Sequence, residues 1–333
     1  MLVIREPELR AIVPMTDAID AVADAFASVS SGAADQPARI GTSDGAALAM
    51  LATRRSTDGE RGGTVCKVVG VSAANRRLGI PSVNAFVLWL APETAAPSMI
   101  LDGTALTALR TGAASGLATR LLASPDARTL AMIGAGGQAA DQIRAVCAVR
   151  PIEIVRIASR SGASAERLAG QLAGELPGIA FEPCGSGDDA VRGADVVSCA
   201  TDAVSPVFDA SSVEGRVHVN AVGSYRPEMR ELPTELLRRA ELVVVDEVGA
   251  ALAEAGELIA AVDGDPGFAE TLLELGELVA RPPAAPRGVT VFKSVGIAMQ
   301  DWAVCKLVET RVRDGGLPGG VEPVELDLVG APG

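Results

Sequence analysis

Residues 129–139 read Thr129-Leu130-Ala131-Met132-Ile133-Gly134-Ala135-Gly136-Gly137-Gln138-Ala139, an apolar strand running into a glycine turn that opens a helical stretch. The spacing Gly134-x-Gly136-x-x-Ala139 is that of a dinucleotide fingerprint. Gly134 permits the tight turn, Gly136 lets the backbone approach a pyrophosphate, and Ala139 is small enough for the helix to pack close on the strand. The first N–H groups of the helix then face the phosphates, with Gly137 and Gln138 in the turn itself. Glycine-rich turns are common, so the signal here lies in the context: a strand before the turn, a helix after it, and a second strand beyond.

That second strand, Ile154–Ala158, leads to Ser159-Arg160-Ser161. Units that bind NAD usually place a carboxylate there to accept hydrogen bonds from the ribose 2′-hydroxyl. No carboxylate is in reach, whereas an arginine and two hydroxyls suit a 2′-phosphate. NADP is therefore expected over NAD, with Ser159, Arg160 and Ser161 as its selecting residues.

From about residue 128 to 295 short apolar runs alternate with helical patterns. Strands are expected at Leu130–Ile133, Glu153–Ala158, Asp195–Ala200, Arg216–Val222, Leu242–Asp246 and Val289–Phe292. Helices are expected at Gly137–Val149, Ala163–Ala173, Pro233–Ala240 and Phe268–Val279. Such alternation implies an α/β fold with a parallel sheet covered on both faces. The first 120 residues differ. Thr16–Ser30 has helical spacing, Thr64–Val71 and Val83–Leu90 look like strands of another sheet joined through the Asn75–Pro81 turn, and Leu106–Leu122 reads as a long small-residue helix. Val295–Arg313 is helical and is expected to return to that first domain. The Gly- and Pro-rich tail from Gly315 onward is expected to be loose. The reading is a substrate and dimerisation domain at 1–120, completed by about 297–333, and a dinucleotide-binding domain at 121–296, meeting over a shared cleft.

Composition narrows the function. With 333 residues the chain can bury a substantial core, and its 48% hydrophobic content includes no apolar run long enough to span a bilayer. Met1-Leu-Val-Ile-Arg-Glu lacks the pattern of a signal peptide, so a cytoplasmic enzyme is expected, with no membrane partner. A net charge of −13 and 3% aromatics disfavour a nucleic-acid partner, because a polyanion is repelled and base-stacking platforms are scarce. Five scattered cysteines and a single histidine, His218, offer neither a disulfide framework nor a metal site. His218 lies in a strand and is read as structural, and Cys66 as a buried small hydrophobe.

Three cations stand out as candidates for chemistry: Arg39 in a loop, Lys67 in the apolar strand Thr64–Val71, and Arg110 in Leu106-Thr107-Ala108-Leu109-Arg110-Thr111. A lysine between apolar neighbours must reach water or a partner. If buried, its pKa falls, a usual route to an acid–base lysine; alternation alone would send it to the wet face of the sheet. Arg110 has the geometry to hold a carboxylate bidentately.

Lys67, then Gly79-Ile80-Pro81-Ser82-Val83-Asn84-Ala85, Leu101-Asp102-Gly103 and Thr107–Thr111, together resemble the ornithine cyclodeaminase/mu-crystallin family. The likeness continues through the glycine turn, His218–Gly223, Glu254-Ala255-Gly256-Glu257 and Thr290–Gly296. It implies a Rossmann domain plus a second, dimer-forming α+β domain built from both chain ends, hence a homodimer. It also implies that Arg39, Lys67 and Arg110 surround a substrate carboxylate and reacting nitrogen. Thr111, Val222, Gly223 and Ser294 join the cofactor-binding set on the same ground.

One departure separates the family's activities. Cyclodeaminases carry an aspartate two residues after the glycine of Asn-Ala-Val-Gly, and here that position is Tyr225. The carboxylate base is missing, with Glu228 or Glu231 as nearby substitutes. The stretch resembles the mu-crystallin and ketimine-reductase branch, which implies hydride transfer from NADPH to the C=N carbon of a small α-imino acid. Arg110 and Arg39 would anchor the carboxylate, and Lys67 would hydrogen-bond it or act as general acid. Asp301, in the terminal helix after Lys293-Ser294, could reach the cleft, but reads first as an exposed helical carboxylate. A cyclodeaminase of ornithine or lysine with recycled NAD, an amino-acid dehydrogenase, and a non-catalytic binding protein stay open as alternatives.

Overall fold

A computed structural model of the chain describes residues 1–55, 62–315 and 324–326. Two units emerge, Met1–Arg110 with Ala298–Gly333, and Thr111–Ile297. The division falls inside one helix, Gly103–Leu122.

In the first unit the strands are β1 (Leu2–Ile4), β2 (Ala34–Asp35), β3 (Ile40–Gly41), β4 (Ala47–Arg54), β5 (Thr64–Val71), β6 (Val83–Leu90) and β7 (Pro97–Asp102). A further short strand, Val324–Glu325, pairs with β1. The sheet runs Val324–Glu325, β1, β7, β6, β5, β4, β2, with β3 also on β4. Strand alternation gives it two unlike faces. Met50, Lys67, Val87 and Leu101 pair in one cross-strand row, and all four are buried. One residue over, Leu51, Cys66, Leu88 and Ile100 form a second row on the opposite face, half-buried or exposed. Cys66 is thus half-buried, because it alternates with Lys67, and the expectation of a buried thiol is corrected. The buried face packs against the helix Ala298–Arg313, which in turn packs on the helix Met15–Ser30. Part of the tail expected to be loose is tied down by Val324–Glu325; residues 316–323 and 327–333 lie outside the described residues.

The second unit holds β8 (Thr129–Ile133), β9 (Ile154–Ala158), β10 (Ala180–Cys184), β11 (Val196–Cys199), β12 (His218–Ala221), β13 (Leu242–Val245), β14 (Leu272–Glu274) and β15 (Thr290–Lys293). Their order is β10-β9-β8-β11-β12-β15-β13-β14, and every pairing is parallel. Helices cover both faces, so β11, β12 and β15 are buried at every residue, their polar members Ser198, His218, Asn220, Thr290 and Lys293 included. The expected fold class stands, with two corrections at the sheet edges. Ala180–Cys184 is a strand that the sequence reading left out. Phe268–Val279, expected to be one helix, is instead a short turn over Pro266–Thr271, then β14, then a helix Leu275–Ala280. Pairing with β13 overrides local helical spacing there, and edge strands carry a weak pattern because they are partly exposed.

His218 is structural, as expected. Its ring nitrogens lie 2.9 Å from Thr290 Oγ1 and 3.1 Å from Asn220 Oδ1, and burial pushes its pKa down to about 3.

Candidate active site

Lys67 reaches the interior because β5 alternates Val65, Lys67 and Val69 onto its buried face. It is 1% exposed, and its Nζ donates to Asp301 Oδ1 at 3.0 Å. Asp301 comes from the helix Ala298–Arg313 and is 0% exposed, which corrects the expectation of an exposed carboxylate. Nearly all of that helix's first half is buried, so one acid in the run Ala298-Met299-Gln300-Asp301-Trp302-Ala303-Val304 had no route to water. That apolar surround is the sequence signal for the cleft-facing reading of Asp301.

Arg110 completes the cluster. It is buried in the helix Gly103–Leu122, whose start is fixed by Asp102 Oδ1 accepting from Thr104 N and Ala105 N at 2.9 and 3.0 Å. Its Nε lies 3.3 Å from Asp301 Oδ1, and its Nη1 donates to Gln300 Oε1. Two buried cations thus share one carboxylate oxygen, while Asp301 Oδ2 has no hydrogen-bond partner among the described residues. Buried charge is costly unless it is paired, and this group carries one positive charge in excess. A ligand carboxylate would balance it. Burial lowers the Lys67 pKa to about 8; Asp301 opposes that fall and Arg110 adds to it. The ammonium can therefore lose its proton near neutral pH.

Arg39 is half-buried between β2 and β3. Its loop is tied to the Asp301 helix, because Gln36 Oε1 accepts from Met299 N at 3.2 Å. The structure thus joins Lys67 and Arg110 through Asp301 and anchors the Arg39 segment to the helix that carries it.

In the second unit the glycine turn follows β8. Gly134 has φ +101°, in the left-handed region, and a Cβ there would stand 2.6 Å from Ala200 O, so conformation and space both require glycine. A Cβ on Gly136 or Gly137 would meet nothing within 4 Å, which leaves this backbone open to a ligand. Ala139 is buried, its N bonds to Gly136 O at 3.1 Å, and the helix Ala139–Val149 starts there. Gln138 Oε1 is buried without a partner among the described residues. An open glycine cradle at a helix N-terminus fits a pyrophosphate. Gly112 lies so close to this helix that a Cβ would stand 2.5 Å from Asp141 O, which brings the buried Thr111 beside its first turn.

Ser159, Arg160 and Ser161 follow β9, the first half-buried and the others exposed. Arg160 Nη2 lies 3.3 Å from Asp202 Oδ1 at the surface. Val222 N donates to Cys199 O at 2.9 Å, and Gly223 N to Glu231 Oε2 at 2.6 Å. Ser294 Oγ donates to Asp246 Oδ2 at 2.9 Å. Tyr225 packs half-buried on the core, with the Arg226 guanidinium 5.5 Å from its ring centre. The two suggested substitutes for the missing aspartate are placed differently. Glu228 is exposed, and Glu231 is buried with both oxygens engaged by main-chain N–H groups. Among the described residues no group of His, Cys, Asp and Glu could hold a metal ion, and no helix is long and apolar enough to cross a membrane.

A doubly covered parallel sheet with this glycine turn, together with a buried cation–carboxylate cluster, defines a protein of the dinucleotide-binding α/β class. The chain belongs to the ornithine cyclodeaminase/mu-crystallin family, whose sequence model matches residues 3–316. It is 34% identical over 330 residues to the Δ1-pyrroline-2-carboxylate reductase of Bacillus cereus, covering 97% of this chain and 100% of that one. It is 36% identical over 243 residues to the ketimine reductase mu-crystallin of Mus musculus, covering 73% and 74% of the two chains. Among solved structures, the Thermococcus litoralis Δ1-pyrroline-2-carboxylate reductase in complex with NADH and L-proline superposes with a TM-score of 0.88 at 31% identity, covering 98% of this chain and 100% of that one.

Proposed function

We propose that this protein reduces a small α-imino acid to the α-amino acid, using a reduced nicotinamide dinucleotide. The observation that carries the reading is the buried Lys67–Asp301–Arg110 cluster with its excess positive charge. The relatives named above as imino-acid reductases support it.

When bound, the cofactor supplies the hydride. The chain's own residues do the rest. Arg110, with Arg39 from the neighbouring loop, pairs with the substrate carboxylate and fixes the C=N bond; such positioning can remove about 7–11 kcal/mol of a barrier. Lys67 Nζ, protonated below about pH 8, donates to the imine nitrogen. An iminium accepts hydride more readily than a neutral imine, and a placed acid of this kind contributes roughly 10²–10⁴-fold. Asp301 Oδ1 holds the ammonium, and its second oxygen is left to accept from the nitrogen of the bound substrate. Tyr225 leaves a cyclodeaminase without its carboxylate, so net reduction is favoured over ammonia loss.

Gly134, Gly136, Gly137, Gln138 and Ala139 would cradle the pyrophosphate, with Thr111 beside them, and Val222, Gly223 and Ser294 lie on neighbouring strand ends. NADP is favoured over NAD, because an exposed surface pair such as Arg160–Asp202 is weak and yields readily to a 2′-phosphate. The row Leu51–Cys66–Leu88–Ile100 is assigned to contact with a second copy of the chain, since Leu51 is 43% exposed in an otherwise apolar face. Steady-state reduction of Δ1-pyrroline-2-carboxylate with NADPH tests the function directly; failure to form proline while a diamino acid loses ammonia would replace it with the cyclodeaminase reading.

A further inference from the structure

The C-terminal edge of the parallel sheet holds buried charged groups that imine reduction does not use: Glu231, Asp246, Glu257 and Lys293. They link the strand ends in sequence. Glu231 Oε1 accepts from Thr201 N at 2.6 Å and from Thr201 Oγ1 at 2.8 Å, in the segment after β11. Glu231 Oε2 accepts from Gly223 N at 2.6 Å and Ser224 N at 3.3 Å, after β12. Ser224 Oγ donates onward to Glu257 Oε2 at 2.6 Å. Lys293 Nζ lies 3.8 Å from Glu257 Oε1 and donates to Ala221 O, Ser224 O and Ser294 O at 3.2, 2.6 and 3.1 Å.

Where this clamp sits gives it a purpose. The glycine turn follows β8, and Ser159–Ser161 follow β9. A dinucleotide with its pyrophosphate on that turn and its adenosine ribose at β9 has the β11–β12 side left for its nicotinamide half. Glu231 is the group that sets the distance between the two segments there. The fit is tight, since a Cβ on Gly223 would collide with the Thr201 backbone. Burial raises the Glu231 pKa, and the Lys293 charge and the hydrogen bonds from Thr201 offset that rise only in part.

We propose that Glu231 is a positioning residue that builds the seat of the nicotinamide half of the cofactor, by holding the segments after β11 and β12 at a fixed separation. The inference rests on the dinucleotide-dependent function proposed above. Glu231→Gln keeps the size but turns an amide N–H2 toward main-chain donors, which pushes one segment away. Calorimetric titration of the full chain with NADPH and with 2′,5′-ADP, which lacks the nicotinamide half, tests it. The expected result is an NADPH Kd raised about tenfold or more, from the loss of hydrogen bonds to a charged group, with the 2′,5′-ADP Kd unchanged. Equal weakening of both ligands would mean general damage and overturn the proposal, as would no weakening of either. Should Glu231→Gln fail to fold, Thr201→Val removes a single donor and carries the same test with a smaller shift. A wild type that binds NADPH while both variants bind it equally well overturns this inference alone. A wild type that binds no nicotinamide dinucleotide overturns the underlying function with it.

Discussion

Lys67 and Asp301, 234 positions apart in the chain, meet in the interior with Nζ 3.0 Å from Oδ1. Neither strand nor helix explains a buried ionic group by itself. Strand alternation drives Lys67 inward, and an apolar helix end does the same to Asp301, so each becomes the other's condition for burial. Breaking such a pair leaves an uncompensated charge, at a cost of about 3–5 kcal/mol.

Replacing Lys67 with Met should therefore cut turnover by roughly 10²–10⁴-fold, the worth of a placed general acid, while NADPH affinity stays close to wild type. Single-turnover kinetics beside a binding titration separate the two. Equal loss of both would remove Lys67 from the chemistry.

The pH profile follows from the same residue. Burial puts the Lys67 pKa at about 8, below the ordinary 10.5, so the acid is protonated below that pH and lost above it. The kcat/KM for imine reduction should fall as pH rises through about 8. Asp301 raises this pKa, so Asp301→Asn should move the falling limb to lower pH. Lys67→Arg, which stays charged, should abolish the limb along with most of the activity. A limb unmoved by Asp301→Asn would sever the proposed coupling.

Arg110→Ala should act differently, raising the KM for the imino acid far more than for the cofactor. The lost charge-assisted hydrogen bonds correspond to about 1.5–3 kcal/mol, or roughly ten- to a hundredfold. An amine substrate without a carboxylate should be nearly indifferent to the change. Measuring both substrates on both proteins isolates the carboxylate contact.

How much of this was legible beforehand depended on how local each signal was. The turn at Gly134 is legible because one backbone geometry demands glycine at a fixed spacing, and β5 and β6 are legible as largely apolar runs. Lys67 and Arg110 stood out as cations in apolar runs and gained meaning from the family resemblance. Asp301 did not, because its partner lies in a distant strand and a helical acid ordinarily faces water. In sequence Glu231 reads only as a spare carboxylate; that its oxygens bind the main chain of Thr201 and Gly223 is a tertiary fact with no sequence period behind it. The β14 segment misled because pairing with β13, not local spacing, decides its conformation.

Cofactor choice gives a further test. Arg160→Ala should lower the preference for NADPH over NADH by about tenfold, and added salt should erode the wild-type preference, since the contact is exposed and screened. Comparing kcat/KM for the two cofactors at two ionic strengths measures both effects. An unchanged ratio would mean that Arg160 does not read the 2′-phosphate.

The central claim, net reduction of an α-imino acid, is tested most directly by following NADPH absorbance over many turnovers with a panel of cyclic and open-chain α-imino acids. The account predicts sustained oxidation with one imine preferred, and one amino acid formed for each NADPH consumed. Ammonia release from ornithine or lysine without net cofactor consumption, and no oxidation with any imine, would contradict it.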